Sequence, residues 1–263
     1  MGLFFSIGRA TAEWFAGLRE RAAFLGETAV CALSLLVRPR QFRFGDSALA
    51  FQRATFDGLP ISTGIGFLLG VILAFQSAAA LKQFGVEVYI ADLLAIALFR
   101  ELGPIITAII LAGRSGSAFA AEIGIMKVNE ELDALTTMGL PPVRFLVLPR
   151  VVAALLAMPI LTVFAELAGL VGGAIVLELM NVPTMVFWRH VTATTTVFMI
   201  LLGLAKGALF GVLVGLIGCS SGMRARKSSD GVGTAATSAV VGSIIAIAVT
   251  DGLLAVLCYI WKI

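Results

Sequence analysis

Charge is scarce in this sequence: only 13% of its 263 residues are Asp, Glu, Lys or Arg, whereas 59% are hydrophobic. An average soluble domain has about 25% charged and about 45–50% apolar residues. A soluble fold of this length lacks the interior to bury such an apolar excess. The composition therefore predicts a multispanning membrane protein and argues against a soluble enzyme, a secreted disulfide scaffold and a nucleic-acid-binding module.

Residues that build common catalytic and metal sites are also scarce. His190 is the only histidine, and the three cysteines (Cys31, Cys219 and Cys258) stand singly in apolar sequence, without disulfide or metal-binding spacing. The sequence contains no Gly-Lys dipeptide and therefore no P-loop. We expect that this chain is not catalytic by itself and that it binds no metal or cofactor.

Five apolar segments are long enough to cross about 30 Å of hydrocarbon as helices, which takes roughly 20 residues. They cover residues 58–81, 93–121, 151–177, 191–219 and 232–260. Within residues 1–53, the apolar stretch Ala29–Val37 is too short to span, and Phe15, Leu18, Ala22 and Leu25 fall on one helical face. The predicted fold is an all-α integral membrane protein with a single domain over residues 1–263, in which an interfacial amphipathic helix precedes five transmembrane helices.

Basic residues predict the orientation of these spans. Of the nineteen Lys and Arg residues, thirteen lie before the first span, between the second and third, or between the fourth and fifth. Since basic residues mark the cytoplasmic side, the N-terminus is predicted to lie inside the cell and the C-terminus outside.

The segment 122–142, between the second and third spans, is predicted to form an amphipathic helix. Its apolar residues share one helical stripe, and its acidic residues point elsewhere. The stripe consists of Ile125, Val128, Leu132 and Leu135, and the acidic residues are Glu130, Glu131 and Asp133. Such a helix suits the docking of a cytoplasmic partner; an ordinary interfacial loop helix is the alternative.

Charged residues also lie inside the spans, where each costs about 2.5–3.5 kcal/mol on insertion scales and needs a partner or water. Arg100, Glu101, Lys206 and Asp251 fall near the middle of their segments, and Glu166 is similar. They are predicted to form a network between the second, fourth and fifth spans, either as structural ion pairs or with a role in gating or headgroup contact.

Small residues recur every four positions in the fourth span, at Gly203, Gly207, Gly211 and Gly215. This spacing lets helix backbones approach closely, so it predicts a packing face. A hinge or a lipid-facing groove is the alternative.

A block of about fifty residues carries the most specific pattern. It comprises Arg100-Glu101-Leu102-Gly103-Pro104, then residues 112–118, 121–124, 126–135 and 138–142, and ends at Pro149-Arg150. The block resembles the signature of the MlaE permease family, and looser similarity extends over nearly the whole chain.

This resemblance implies a homodimeric permease subunit of an ABC transporter in a bacterial inner membrane, with a periplasmic C-terminus. The implied partners are a cytoplasmic ABC ATPase (MlaF-like), a STAS-domain protein (MlaB-like) and a periplasmic MCE-domain hexamer (MlaD-like). The ATPase would bind ATP and magnesium, and the substrate would be phospholipid, moved to maintain outer-membrane lipid asymmetry. The segment 122–142 would then couple the ATPase to the spans through Glu122, Lys127, Glu130, Glu131 and Asp133.

By the same resemblance, a lipid cavity would lie at the dimer interface between spans one, two and five. The implied lipid-binding residues are Leu73, Ala80, Leu81, Phe84 and Leu102, with Lys206 as a candidate phosphate partner beside Glu101 and Asp251.

Two other classes of function stay open on the sequence alone. One is a self-sufficient secondary transporter or channel that relays ions through Glu101, Lys206 and Asp251, although no internal repeat accompanies it. The other is a membrane enzyme of lipid metabolism, which the missing catalytic cluster disfavours.

Overall fold

The computed structural model describes residues 17, 19, 20, 22–34 and 43–261. Within the predicted interfacial segment, a helix that we call α1 covers Ala22–Ser34 and is too short to span. Phe24 and Cys31 of α1 pack against the core of the bundle. Phe15 and Leu18, which were predicted to share the apolar face of this helix, lie outside the described residues.

Five segments of the described chain are long and apolar enough to cross a membrane. Span 1 is α2 (Phe44–Leu81), and span 2 joins α3 (Ile90–Ala97), α4 (Gly103–Leu111) and α5 (Ser117–Val128). After α6 (Glu131–Thr137), span 3 contains α7 (Leu148–Leu179); after α8 (Thr184–Thr194), span 4 is α9 (Val197–Met223) and span 5 is α10 (Ser229–Ile260). The predicted all-α membrane fold with five spans is confirmed.

The span boundaries differ from the predicted ones at two places in particular. Span 1 begins at Phe44 rather than at residue 58, because the helix continues through the charged residues that were taken to end it. The predicted start of the fourth span at residue 191 is wrong. Val191 belongs to α8, and Thr195 and Thr196 are extended, with ψ angles of 119° and 148°, before α9 begins.

Span 2 contains two π-helical turns, at Leu98–Leu102 and Ala112–Gly116. The first immediately precedes Pro104, which cannot donate to the carbonyl of Arg100 and crowds it. The helix widens there, so that the Gly103 N–H donates to the carbonyl of Leu98, five residues back. The helix before Pro104 therefore contains a π-turn, a feature that is frequent at functional sites.

Several glycines let the backbones of neighbouring spans approach closely. A Cβ atom on Gly70 of span 1 would overlap the backbone of Gly169 in span 3, and a Cβ atom on Gly203 of span 4 would overlap the carbonyl of Phe99 in span 2. Gly211 faces the carbonyl of Ala154 in the same way. The glycine repeat of span 4 is thus confirmed as a packing face.

The segment between spans 2 and 3 is two helices rather than the single predicted one. Helix α5 ends at Val128, Glu130 adopts a positive φ of 61°, and α6 follows over Glu131–Thr137. The predicted apolar stripe is therefore divided: Leu132 is buried, whereas Ile125 on α5 is half exposed. We call the side of the bundle that carries this segment the α6 end, and the opposite side the α8 end.

Candidate functional site: a buried ion cluster

The four predicted intramembrane charges form one ion cluster where spans 2, 4 and 5 meet. Lys206 Nζ donates to Glu101 Oε2 at 2.6 Å and to Asp251 Oδ1 at 3.2 Å. Arg100 Nε lies 3.7 Å from Glu101 Oε1. The Lys206 side chain is only 3% exposed, whereas those of Arg100 and Glu101 are 35% and 34% exposed. Two cations thus neutralise two carboxylates, which lowers the cost of holding them in the membrane.

Local sequence explains how the cluster is assembled. Arg100 and Glu101 lie in the first π-turn of span 2. Lys206 lies between Gly203 and Gly207, which bring the backbone of span 4 against Phe99 of the same π-turn and against Thr162 of span 3. Because these glycines remove the side chains that would separate the helices, the ammonium group of Lys206 reaches both carboxylates while its stem stays buried.

Lys206 lies nearer the α8 end of span 4 than the predicted span boundaries suggested. Lys206 follows Val197 by nine residues and Asp251 precedes Ile260 by nine residues. At 1.5 Å per residue, both lie about 14 Å from the α8 ends of their helices. If those ends mark the hydrocarbon boundary, this depth is close to the middle of a core about 30 Å thick.

Glu166 of span 3 is separate from the cluster. Its residue is 2% exposed, and no hydrogen-bond partner of its Oε1 atom lies within reach among the described residues. It packs against Gly103, where an added Cβ atom would lie 2.7 Å from Glu166 Cγ. The carboxyl group therefore adjoins the same irregular stretch of span 2 without joining its ion pairs.

The five predicted lipid-binding residues extend from the level of the π-turn towards the α8 end. Leu102 belongs to the π-turn that carries Glu101. Leu73 and Leu81 are partly buried against a core cluster at the α8 end, Ala80 is exposed, and Phe84 is 76% exposed just after span 1. Their contact with lipid stays a prediction.

The predicted ATPase-coupling residues mostly bind other parts of the chain. Glu122 pairs with Arg150 at 2.8 Å, and Lys127 Nζ donates to the carbonyl of Met223 at 2.7 Å. Lys227, in the connection between spans 4 and 5, donates to Glu130 at 3.2 Å and to Asp133 at 2.9 Å. Glu131 accepts from Asn129. These contacts hold α6 against the neighbouring connection, and a contact of these residues with an ATPase stays a prediction.

Two groupings were not predicted from the sequence. One is the contact of Lys227 with Glu130 and Asp133. The basic connection between spans 4 and 5 and the acidic segment between spans 2 and 3 could have indicated it. The other lies at the α8 end, where Asp92 accepts from Thr194 at 2.5 Å and lies 3.2 Å from His190 Nδ1. The sequence gives no signal for this contact, because Asp92 lies about a hundred residues before His190 and Thr194 and shares no motif with them.

The sequence is similar to those of known permease proteins. The family model described as "Permease MlaE" matches residues 49–257. A probable ABC transporter permease protein of Rickettsia felis is 34% identical over 257 residues, which cover 95% of each chain. A similar Rickettsia typhi protein is 37% identical, over 78% of this chain and 79% of its own length. The intermembrane phospholipid transport system permease protein MlaE of Haemophilus influenzae is 33% identical, over 74% of this chain and 75% of its own.

Proposed function

Because the chain belongs to the MlaE permease family, we propose that it is the membrane-spanning subunit of an ABC transporter whose substrate is phospholipid. The observation that carries the proposal is the family match over residues 49–257, which includes the motif that forms the ion cluster. The name of the Haemophilus relative supplies the substrate class. In this proposal the chain itself hydrolyses no ATP.

The ion cluster supports a transport role through its position. It joins three spans with charges that face one another, so a relative movement of those spans changes the pairing at Lys206. Arg100 and Glu101 are partly exposed, and they adjoin Leu102, one of the proposed lipid-binding residues. In a homodimer, apolar surface for the acyl chains would lie beside Arg100 and Glu101. It would be supplied by Leu73, Ala80, Leu81 and Phe84.

The energy would come from a cytoplasmic ATPase bound at the α6 end, which holds ATP and magnesium. The excess of basic residues at this end supports its placement in the cytoplasm and that of the C-terminus in the periplasm of an inner membrane. Helix α6 would transmit closure of the ATPase to span 2 through α5 and to spans 4 and 5 through Lys227. Further partners in the proposed complex are a STAS-domain protein and a periplasmic MCE-domain hexamer.

Affinity purification of the chain from its native membrane, with mass spectrometry of retained proteins and lipids, tests this proposal. We expect an ABC ATPase, an MCE-domain protein and phospholipid to be retained together. Phospholipid without any ATPase would contradict the proposal and favour the secondary transporter, for which the ion cluster is the one supporting observation.

A matched pair of variants tests the proposed coupling surface. The triple variant Glu130→Ala, Glu131→Ala, Asp133→Ala removes the acidic groups, whereas Lys227→Gln releases Glu130 and Asp133 but leaves them charged. If the carboxylates contact the ATPase, the triple variant loses the ATPase and Lys227→Gln retains it. Equal retention by the triple variant and the unaltered chain would exclude these carboxylates from the contact.

A further inference from the structure

A cavity of about 390 Å³ lies at the α6 end, between the first half of span 1, helix α5 and the start of span 3. Its charged lining consists of four arginines and three carboxylates: Arg43, Arg53, Arg114, Arg150, Asp46, Asp57 and Glu122. The cavity therefore has one net positive charge. Its volume falls in the range of small-ligand sites.

The arginines of this cavity are unequally paired. The Arg150 side chain is only 14% exposed, and its Nη2 atom donates to Glu122 Oε2 at 2.8 Å. Its charge is therefore neutralised within the protein. Arg53 is 63% exposed and lies 3.8 Å from the same carboxylate. Arg114 Nη2 lies 3.0 Å from Asp57 Oδ2, while its Nη1 is shielded from solvent and has no acceptor among the described residues. Arg53 and Arg114 thus retain donor capacity for an incoming anion.

The depth of the cavity matches the level of lipid headgroups. Arg114 follows Glu101 by thirteen residues, which is about 20 Å along span 2 towards the α6 end. With the ion cluster near the bilayer centre, the hydrocarbon boundary lies about 15 Å away. Arg114 is then at the headgroup level, while Leu49 and Phe119 contribute apolar surface to the same cavity.

We propose that this cavity binds the phosphodiester headgroup of a phospholipid from the leaflet at the α6 end. The single net positive charge complements the single negative charge of a phosphodiester, and guanidinium groups bind phosphate oxygens through paired N–H donors. Asp57 and Asp46 can accept from an amine on the same headgroup. This proposal rests on the proposed function for its substrate class, but it concerns a site remote from the ion cluster.

Site-specific photocrosslinking tests it in cells that make the complete transporter. A photoreactive residue at Ala118, an exposed position in the cavity lining, is compared with one at Val241, an exposed position of span 5 outside the cavity. In cells grown with radioactive phosphate, we expect phospholipid label on the chain at Ala118 well above that at Val241. The double variant Arg53→Gln, Arg114→Gln should lower the Ala118 label about tenfold.

Two control variants show whether the label depends on the arginines of the cavity in particular. Arg226→Gln removes an exposed arginine outside the cavity and should leave the label unchanged, and Arg53→Lys should retain most of it. Normal membrane yield of the double variant shows that it folds. Equal label at Ala118 and Val241, or label that survives the double variant, would overturn the proposal, and label carried by a soluble phosphate ester instead of phospholipid would overturn the lipid assignment.

Crosslinking requires neither ATP nor transport, so its outcome is independent of the proposed function. A chain that binds no ATPase but gives arginine-dependent label at Ala118 would refute the transporter assignment and leave the headgroup site standing.

Discussion

Lys206 has two carboxylates within hydrogen-bonding distance and almost no contact with solvent. A buried pair of this kind adds little net stability over an apolar replacement of the whole set, but removal of one partner leaves uncompensated charge behind. Removal of the Lys206 cation alone should therefore lower the free energy of unfolding strongly. Removal of the cation together with one carboxylate should lower it less.

Lys206→Met should lower the free energy of unfolding by about 3 kcal/mol, because Glu101 and Asp251 then repel each other without a cation between them. Adding Asp251→Asn to the same chain should recover part of this loss. Thermal unfolding of the purified chains in detergent measures both effects, with Lys82→Met, an exposed lysine at the α8 end, as the control. If the double variant is the less stable of the two, the three charges do not act as one cluster.

At the scale of the elements, close backbone contacts at glycines bring spans 1 and 4 against span 3. Span 1 packs along span 3 at Gly66 and Gly70, and span 4 packs on span 3 at Gly211. Because lipid tails are as apolar as the helix surfaces, close packing of this kind stabilises membrane helix pairs.

Gly70→Val should weaken the contact between spans 1 and 3, because its side chain would occupy the space of the Gly169 backbone. Overpacking of this kind costs about 1–3 kcal/mol. Gly64→Val is the matched control, since nothing lies within 4 Å of a Cβ atom at that position on the same helix. Thermal unfolding in detergent should show a lower midpoint for Gly70→Val alone; equal midpoints would contradict close backbone packing at this glycine.

Helix α6 is held by Lys227, whose pKa is raised above its ordinary value of 10.5 by hydrogen bonds to Asp133 and Glu130. A raised pKa in the folded state means that the contact stabilises α6 fully below pH 10.5 and is lost as the pH rises through the folded-state value. Because Lys227 is exposed, the contribution is small.

A spin label at Thr137→Cys, an exposed position at the end of α6, reports this contact. Its mobility should stay constant from about pH 6 to about pH 9 and increase above about pH 10.5. Lys227→Gln should increase it below about pH 10.5, where the unaltered chain keeps the contact, and Arg226→Gln should not. A mobility that does not respond to Lys227→Gln would mean that other contacts hold α6.

For the whole molecule, the sequence was sufficient for features that depend on composition and spacing. The five spans follow from apolar length, and the meeting of Glu101, Lys206 and Asp251 follows from the high cost of unpaired charge in a membrane. The start of span 1 was misplaced because α2 continues through the charged residues before residue 58.

Other features depend on tertiary contacts that no local pattern specifies. The sequence does not predict the helix break at Glu130, because the apolar spacing continues across it. In the structure the chain turns there through the positive φ of Glu130. The arginine-lined cavity joins residues of three spans, and of its four arginines only Arg114 and Arg150 lie in the recognisable motif block. The sequence predicts which charges need partners, but not which of several neighbours supplies them.

The central claim is that this chain moves phospholipid only when a separate ATPase drives it. The most direct measurement reconstitutes the purified chain in liposomes that contain labelled phospholipid, with and without the copurified ATPase and periplasmic partner, and follows label in both directions. We predict movement that requires the ATPase and ATP and is indifferent to a proton gradient. Movement by the chain alone, driven by a proton gradient, would contradict the claim and assign the ion cluster to a secondary transporter.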